Sequence, residues 1–91
     1  MAVIVRVPTV LQKLADGQHQ VQAAGSTVGQ VLDSLRDSHA ELVQRVTTED
    51  GQIKPFLNIF VNGEDIRFDR NVETSVRDGD EISIVPSIAG G

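Results

Sequence analysis

Val28, Val31, Leu32 and Leu35 recur at i, i+3, i+4 and i+7, the spacing that places four apolar side chains on one face of a helix. Thr27 stands in the capping position before them, and Gln30, three residues later, completes a capping-box pattern. The opposite face carries Gln30, Asp33, Ser34 and Asp37. This helix constrains the chain most, because everything around it reads as short strands and turns.

Ahead of the helix, residues 3–7 are β-branched apart from Arg6 and read as a strand, which Pro8 ends. Val10, Leu11 and Leu14 read as loop residues folded against the core. Asp16-Gly17 is a turn signal, and residues 18–23 form a polar edge strand. Behind the helix, Leu42, Val43 and Val46 predict a further turn or two of helix, and residues 47–55 a polar loop. Residues 56–61 read as a strand. Asn62-Gly63 is a strong two-residue hairpin signal, because both residues tolerate positive φ. Residues 66–68 predict a short return strand. Residues 69–80 are irregular, with Val72 and Val76 as core anchors. In the last strand, residues 81–86, Ile82 and Ile84 share one face and Ser83 and Val85 the other.

A hairpin, a crossing helix and then strands that finish beside the first one describe an α+β fold of the β-grasp (ubiquitin-like) type. It has a mixed sheet, one main crossing helix and a flexible C-terminal tail. The final strand is expected to lie centrally and parallel to the first. The domain is expected over residues 1–86, with residues 87–91 as an exposed tail.

Composition narrows the function classes. A chain of 91 residues buries roughly 60–65% of the surface its unfolded form exposes, enough for one core but not for a deep internal cavity. The net charge is −5 and Lys13 and Lys54 are the only lysines, which argues against a nucleic-acid partner and suits docking on basic surfaces. There are no cysteines, so disulfides, thiolate catalysis and iron–sulfur clusters are excluded. No apolar run approaches the roughly 20 residues of a membrane span, so no membrane partner is expected. Residues 1–6 enter a strand pattern at once, with no secretory signal, which leads us to expect a cytoplasmic protein.

Few internal residues suggest chemistry. His19 and His39 lack metal-ligand spacing, and the carboxylates Glu64, Asp65, Asp69, Asp78, Asp80 and Glu81 read as a solvated acidic face. Gly25 and Gly29 are not followed by the Gly-Lys-Ser/Thr of a phosphate loop. Ser26, Ser34, Ser75 and Ser83 lack a His and Asp constellation. What remains is the C-terminus. Pro86 cannot donate a ladder hydrogen bond, so the strand stops there, and Ser87-Ile88-Ala89-Gly90-Gly91 leaves the domain with small residues at its end.

This frame resembles the ubiquitin-like sulfur carriers of the molybdopterin synthase small subunit, ThiS and CysO type. The resemblance runs the full length. Ile88-Ala89-Gly90-Gly91, Ser26-Thr27-Val28-Gly29 and Asp78-Gly79-Asp80-Glu81 carry it most strongly, and residues 56–68 look closest to the CysO-like branch. The resemblance implies a carrier, not an enzyme, with no bound cofactor. A partner adenylating enzyme would use ATP and magnesium to convert the Gly91 carboxylate to an acyl-adenylate, and a sulfur donor would leave a thiocarboxylate. The acceptor would be a cysteine synthase, favoured here, or the large subunit of molybdopterin synthase, or thiazole synthase. Gly90 and Gly91 would be the working end, with Ile88 and Ala89 docking the tail. Independently of the resemblance, alternation that turns Leu57, Ile59 and Val61 to the core turns Phe56 and Phe60 outward, and Phe60, Val85 and Phe68 are expected to form an apolar docking patch on the open sheet surface. A ubiquitin-like protein modifier and a non-covalent β-grasp interaction module remain open as alternatives.

Overall fold

The computed structural model describes residues 2–86. Its single sheet has five strands in the order β2-β1-β5-β3-β4. β1 (Val3–Arg6) and β2 (Gln20–Ala23) pair antiparallel, with Val5 opposite Val21. β5 (Glu81–Pro86) lies parallel to β1, with Val5 opposite Ile82. On its other side β5 pairs antiparallel with β3 (Leu57–Val61), with Ile59 opposite Ile84 and Leu57 opposite Pro86. The last strand is therefore the middle one, as the sequence predicts. β2 is the polar edge, and the two-residue β4 (Glu64–Asp65) is the other edge.

The helices cover one face of this sheet. Alternation along the strands sends Val3, Val5, Ile59, Ile82 and Ile84 into the core, where each is no more than 3% exposed. They meet Val28, Val31, Leu32 and Leu35 of α1 (Val28–Ser38) and Leu42, Val43 and Val46 of α2 (Ala40–Val46), all buried. Each such side chain contributes roughly 1.5–3 kcal/mol relative to exposure, so strands of four residues are held by burial more than by their ladders.

α1 begins where the capping box places it. The Thr27 hydroxyl accepts the Gln30 N–H at 3.2 Å, and Gln30 Oε1 accepts the Ser26 N–H at 2.8 Å. Gly29 sits where a Cβ would lie 3.2 Å from the Val72 carbonyl, so this glycine lets the 3-10 turn Asn71–Glu73 pack against the helix. Of the two anchors expected in that region, Val76 is buried and Val72 is half-buried. His39 ends α1 and begins α2 with φ −137° and ψ 59°, which breaks the helix into two.

Three local expectations need correction. Residues 9–15 are not a loop but a 3-10 helix, Thr9–Ala15. Pro8 places its carbonyl to accept the Leu11 N–H at 2.9 Å, the i to i+3 bond of that helix. Leu11 is buried and Leu14 packs against the core, but Val10 points outward and is 64% exposed. The third correction concerns the hairpin. Asn62 and Gly63 have φ of 50° and 88°, as the two-residue turn requires. The return strand, however, is only Glu64–Asp65. The Asp65 carboxylate accepts the Arg67 N–H at 2.9 Å and caps a 3-10 turn, Ile66–Phe68, which replaces the ladder. Ile66 turns into the core, and Phe68 emerges 88% exposed.

Thr27→Ala removes the cap acceptor without altering the core. Stability should fall by about 1 kcal/mol, read as a lower urea midpoint at unchanged m-value. An unchanged midpoint would show that the Ser26–Gln30 bond alone fixes the helix start.

Candidate functional site at the root of the tail

β5 ends at Pro86, opposite Leu57. The residues singled out in the tail, Ile88, Ala89, Gly90 and Gly91, lie outside the described residues. The root from which they continue is described. It stands in the middle of the sheet, at the end where β3 begins and where β1 passes into Pro8.

The start of β5 is fastened by a polar cluster at the opposite end of the sheet. Asn62 donates from Nδ2 to Asp80 Oδ1 at 3.1 Å, and its Oδ1 accepts the Glu81 N–H at 3.0 Å. Asp80 Oδ2 accepts the Arg77 N–H at 2.8 Å. That backbone bond, followed by the Asn62 bond, holds the Asp80 carboxyl below the usual aspartate range. The Arg67 guanidinium does the same for Asp65 across a 2.8 Å contact. These carboxylates tie strands and turns together. They do not form a pair with separated proton affinities, as acid–base catalysis would need.

On the face of the sheet away from the helices lie Ile4 and Arg6 of β1, Ser83 and Val85 of β5, and Asn58 and Phe60 of β3. Phe60 is half-buried opposite Ser83, which makes Val85 its diagonal neighbour, and Val85 is 40% exposed. Arg6 and Glu81 form an ion pair on this face. Phe68 does not belong to a strand; it sits in the 3-10 turn beyond β4.

The other face at the tail root holds a feature that the sequence reading missed. Pro86 and Leu57 follow the alternation of Ile84 and Ile59 and so lie on the helix side. There, with Val10, Phe56 and the side chains of Arg45 and Lys54, they line an open groove. Val10 and Phe56 are 64% and 59% exposed; Phe56, expected within the strand and on its open face, instead precedes β3 in a turn and lines this groove. The available signal was local: each apolar residue follows closely on a proline, Pro8 or Pro55, that ends regular structure.

His39 sits at the junction of α1 and α2. His39 Nδ1 lies 2.9 Å from the Ser38 hydroxyl, and its Nε2 lies 3.8 Å from Asp16. Among the described residues no cluster of three or more His, Asp or Glu converges as a metal centre, and no helix is long and apolar enough to cross a membrane.

A mixed sheet with its last strand central, helices on one face and a small-residue segment continuing from that strand defines a ubiquitin-like β-grasp protein. Comparison with known proteins takes this further. The model of the ThiS family matches residues 5–91. The sulfur carrier protein CysO of Mycobacterium tuberculosis is 38% identical over 93 aligned residues that span both chains completely. The CysO chain in the crystal structure of the Amycolatopsis orientalis BexX/CysO complex superimposes with a TM-score of 0.90 at 38% identity, covering 98% of this chain and 99% of that one. Small archaeal modifier protein 3 of Haloferax volcanii is 39% identical over 66 residues, 72% of this chain. The chain belongs to the ThiS family, whose members similar to it are small carriers rather than catalysts.

The lowered Asp80 value has a consequence for acid stability. A carboxyl whose folded value lies below its unfolded one stabilises the fold above the ordinary aspartate range, and that stability is lost as pH falls through the folded value. Urea midpoints of the chain and of Asp80→Ala should therefore differ most at neutral pH and converge in strong acid. A gap that stays constant down to low pH would contradict this role.

Proposed function

We propose that this chain is a sulfur carrier whose working group is the Gly91 carboxylate. The observation that carries the reading is positional. A diglycine end follows, within five residues, the central strand of a domain that matches the ThiS family along residues 5–91.

A carboxylate is a poor electrophile. In the proposed sequence it attacks the α-phosphorus of magnesium-bound ATP in a partner adenylating enzyme, and pyrophosphate leaves. A sulfur donor then displaces AMP from the acyl-adenylate and leaves the Gly91 thiocarboxylate, a nucleophile on a protein handle. Glycine suits this end because a residue without Cβ permits close backbone approach and φ values closed to other residues. Ile88 and Ala89 would set the register of the tail in the receiving channel by main-chain hydrogen bonds and side-chain pockets. Val85 offers apolar surface beside the tail root, half-buried Phe60 extends it toward the middle of the sheet, and Phe68 is a further exposed ring.

Cysteine biosynthesis is the favoured destination. It is supported by the 38% identity to CysO along the whole chain. The acceptor would then be a pyridoxal-phosphate cysteine synthase that adds the thiocarboxylate sulfur to an activated serine. A molybdopterin synthase large subunit or a thiazole synthase would use the same end differently. A second reading, a ubiquitin-like protein modifier, is favoured by the similarity to small archaeal modifier protein 3. It shares the adenylation step and differs in the final bond, an isopeptide to a lysine.

The shared step is tested by ATP–pyrophosphate exchange with an adenylating enzyme of the same system. Deleting Gly91 should abolish exchange while leaving the urea midpoint unchanged. Gly91→Ala should lower it by on the order of 100-fold, the effect of a small misplacement of the reacting group. Exchange at the normal rate in either variant would refute the tail as the working end.

A further inference from the structure

We infer that the groove on the helix side of the tail root is a second docking surface. It would receive an apolar side chain flanked by carboxylates at the channel mouth of the adenylating partner. The inference rests on the carrier reading above and adds to it both a location and a partner chemistry.

Geometry supplies the first argument. Five residues follow Pro86, and five residues span at most roughly 17 Å when fully extended. An enzyme that draws Gly91 into a closed site must therefore bring its channel mouth up against the tail root. The root has two sides. One is the open sheet face, where Val85 is exposed. The other is this groove, with Pro86 and Leu57 as its floor and Val10 and Phe56 as exposed walls. Exposed apolar surface of this kind commonly marks a contact site.

Charge supplies the second. The chain is acidic overall at −5, yet the two ionisable side chains lining the groove, Arg45 and Lys54, are both cationic. Among the described residues neither belongs to an ion pair, a property shared with Lys13, Arg70 and Arg77 but joined here to an apolar groove. Asp65, Asp78, Asp80 and Glu81 lie at the other end of the sheet, and Glu49 lines the neighbouring hollow with Lys54 but not the groove itself. A cationic rim around an apolar floor is complementary to carboxylates around an apolar knob. Such complementarity acts mainly on encounter and orientation.

Adenylation kinetics with varied carrier concentration test this. The double variant Arg45→Glu/Lys54→Glu should raise KM for the carrier by about tenfold or more with kcat unchanged, and should flatten the salt dependence of kcat/KM. Phe56→Ala keeps the charges and removes a wall, and should also raise KM. Its exposed position allows the fold to survive, which the urea midpoint checks. Arg70→Glu/Arg77→Glu makes the same change in net charge away from the groove and should cost much less. Groove variants within twofold of the unaltered chain, or an equal loss in the remote double variant, would overturn the inference while leaving the carrier reading standing. If the unaltered chain itself is not adenylated, the carrier reading falls and this inference with it.

Discussion

The pairing of β5 between β1 and β3 is the interaction on which the rest of the structure depends. It joins the two ends of the chain in a parallel ladder and the two hairpins in one sheet. Until it forms, the β1–β2 and β3–β4 hairpins have no shared face for α1 to cover. Ile82 and Ile84, on this strand, are both buried in the core, Ile82 completely. Pro86, the last described residue of this strand, is held in place because the strand is paired on both sides.

The domain has a polarity along β5. At its start, Asn62, Asp80 and the Arg77 backbone lock the strand to the hairpin. At its finish, apolar side chains flank the root on both faces of the sheet: Val85 on one, Val10 and Phe56 on the other. Asp65, Asp78, Asp80 and Glu81 stand in the turns near the start. The cations Arg45 and Lys54 stand near the finish. The proposed function has the carrier gripped near the tail root and released afterwards, and a small apolar surface beside two cations that form no ion pair among the described residues suits such a contact better than a large dry interface.

Much of this was legible in the residues. The period of Val28, Val31, Leu32 and Leu35 and the Thr27–Gln30 box located α1 because local propensity and burial agree there. Asn62-Gly63 named its own turn. Alternation in residues 81–86 separated core from open face. What escaped depended on competition or on distant neighbours. Residues 66–68 have strand-like composition, but the Asp65 carboxylate bonds the Arg67 N–H and wins the backbone for a 3-10 turn. Val10 reads as apolar and therefore inward, but only Leu11 and Ala15 of its 3-10 helix are buried. The groove joins Val10, Arg45, Lys54, Phe56 and Pro86, residues from four separate segments, and no spacing in the sequence announces it. The diglycine end was readable as an end with small residues; its chemistry came from resemblance, not from geometry.

The central claim is that sulfur travels on the C-terminal carboxylate. Its most direct test is an intact-mass spectrum of the chain after incubation with ATP, magnesium, an adenylating enzyme and a sulfide source, followed by fragmentation to locate the change. The account predicts a gain equal to exchange of one oxygen for sulfur, confined to the fragment that contains Gly91. An unchanged mass after adenylation has been demonstrated, or a mass shift that corresponds to attachment to a lysine of another protein, would contradict it.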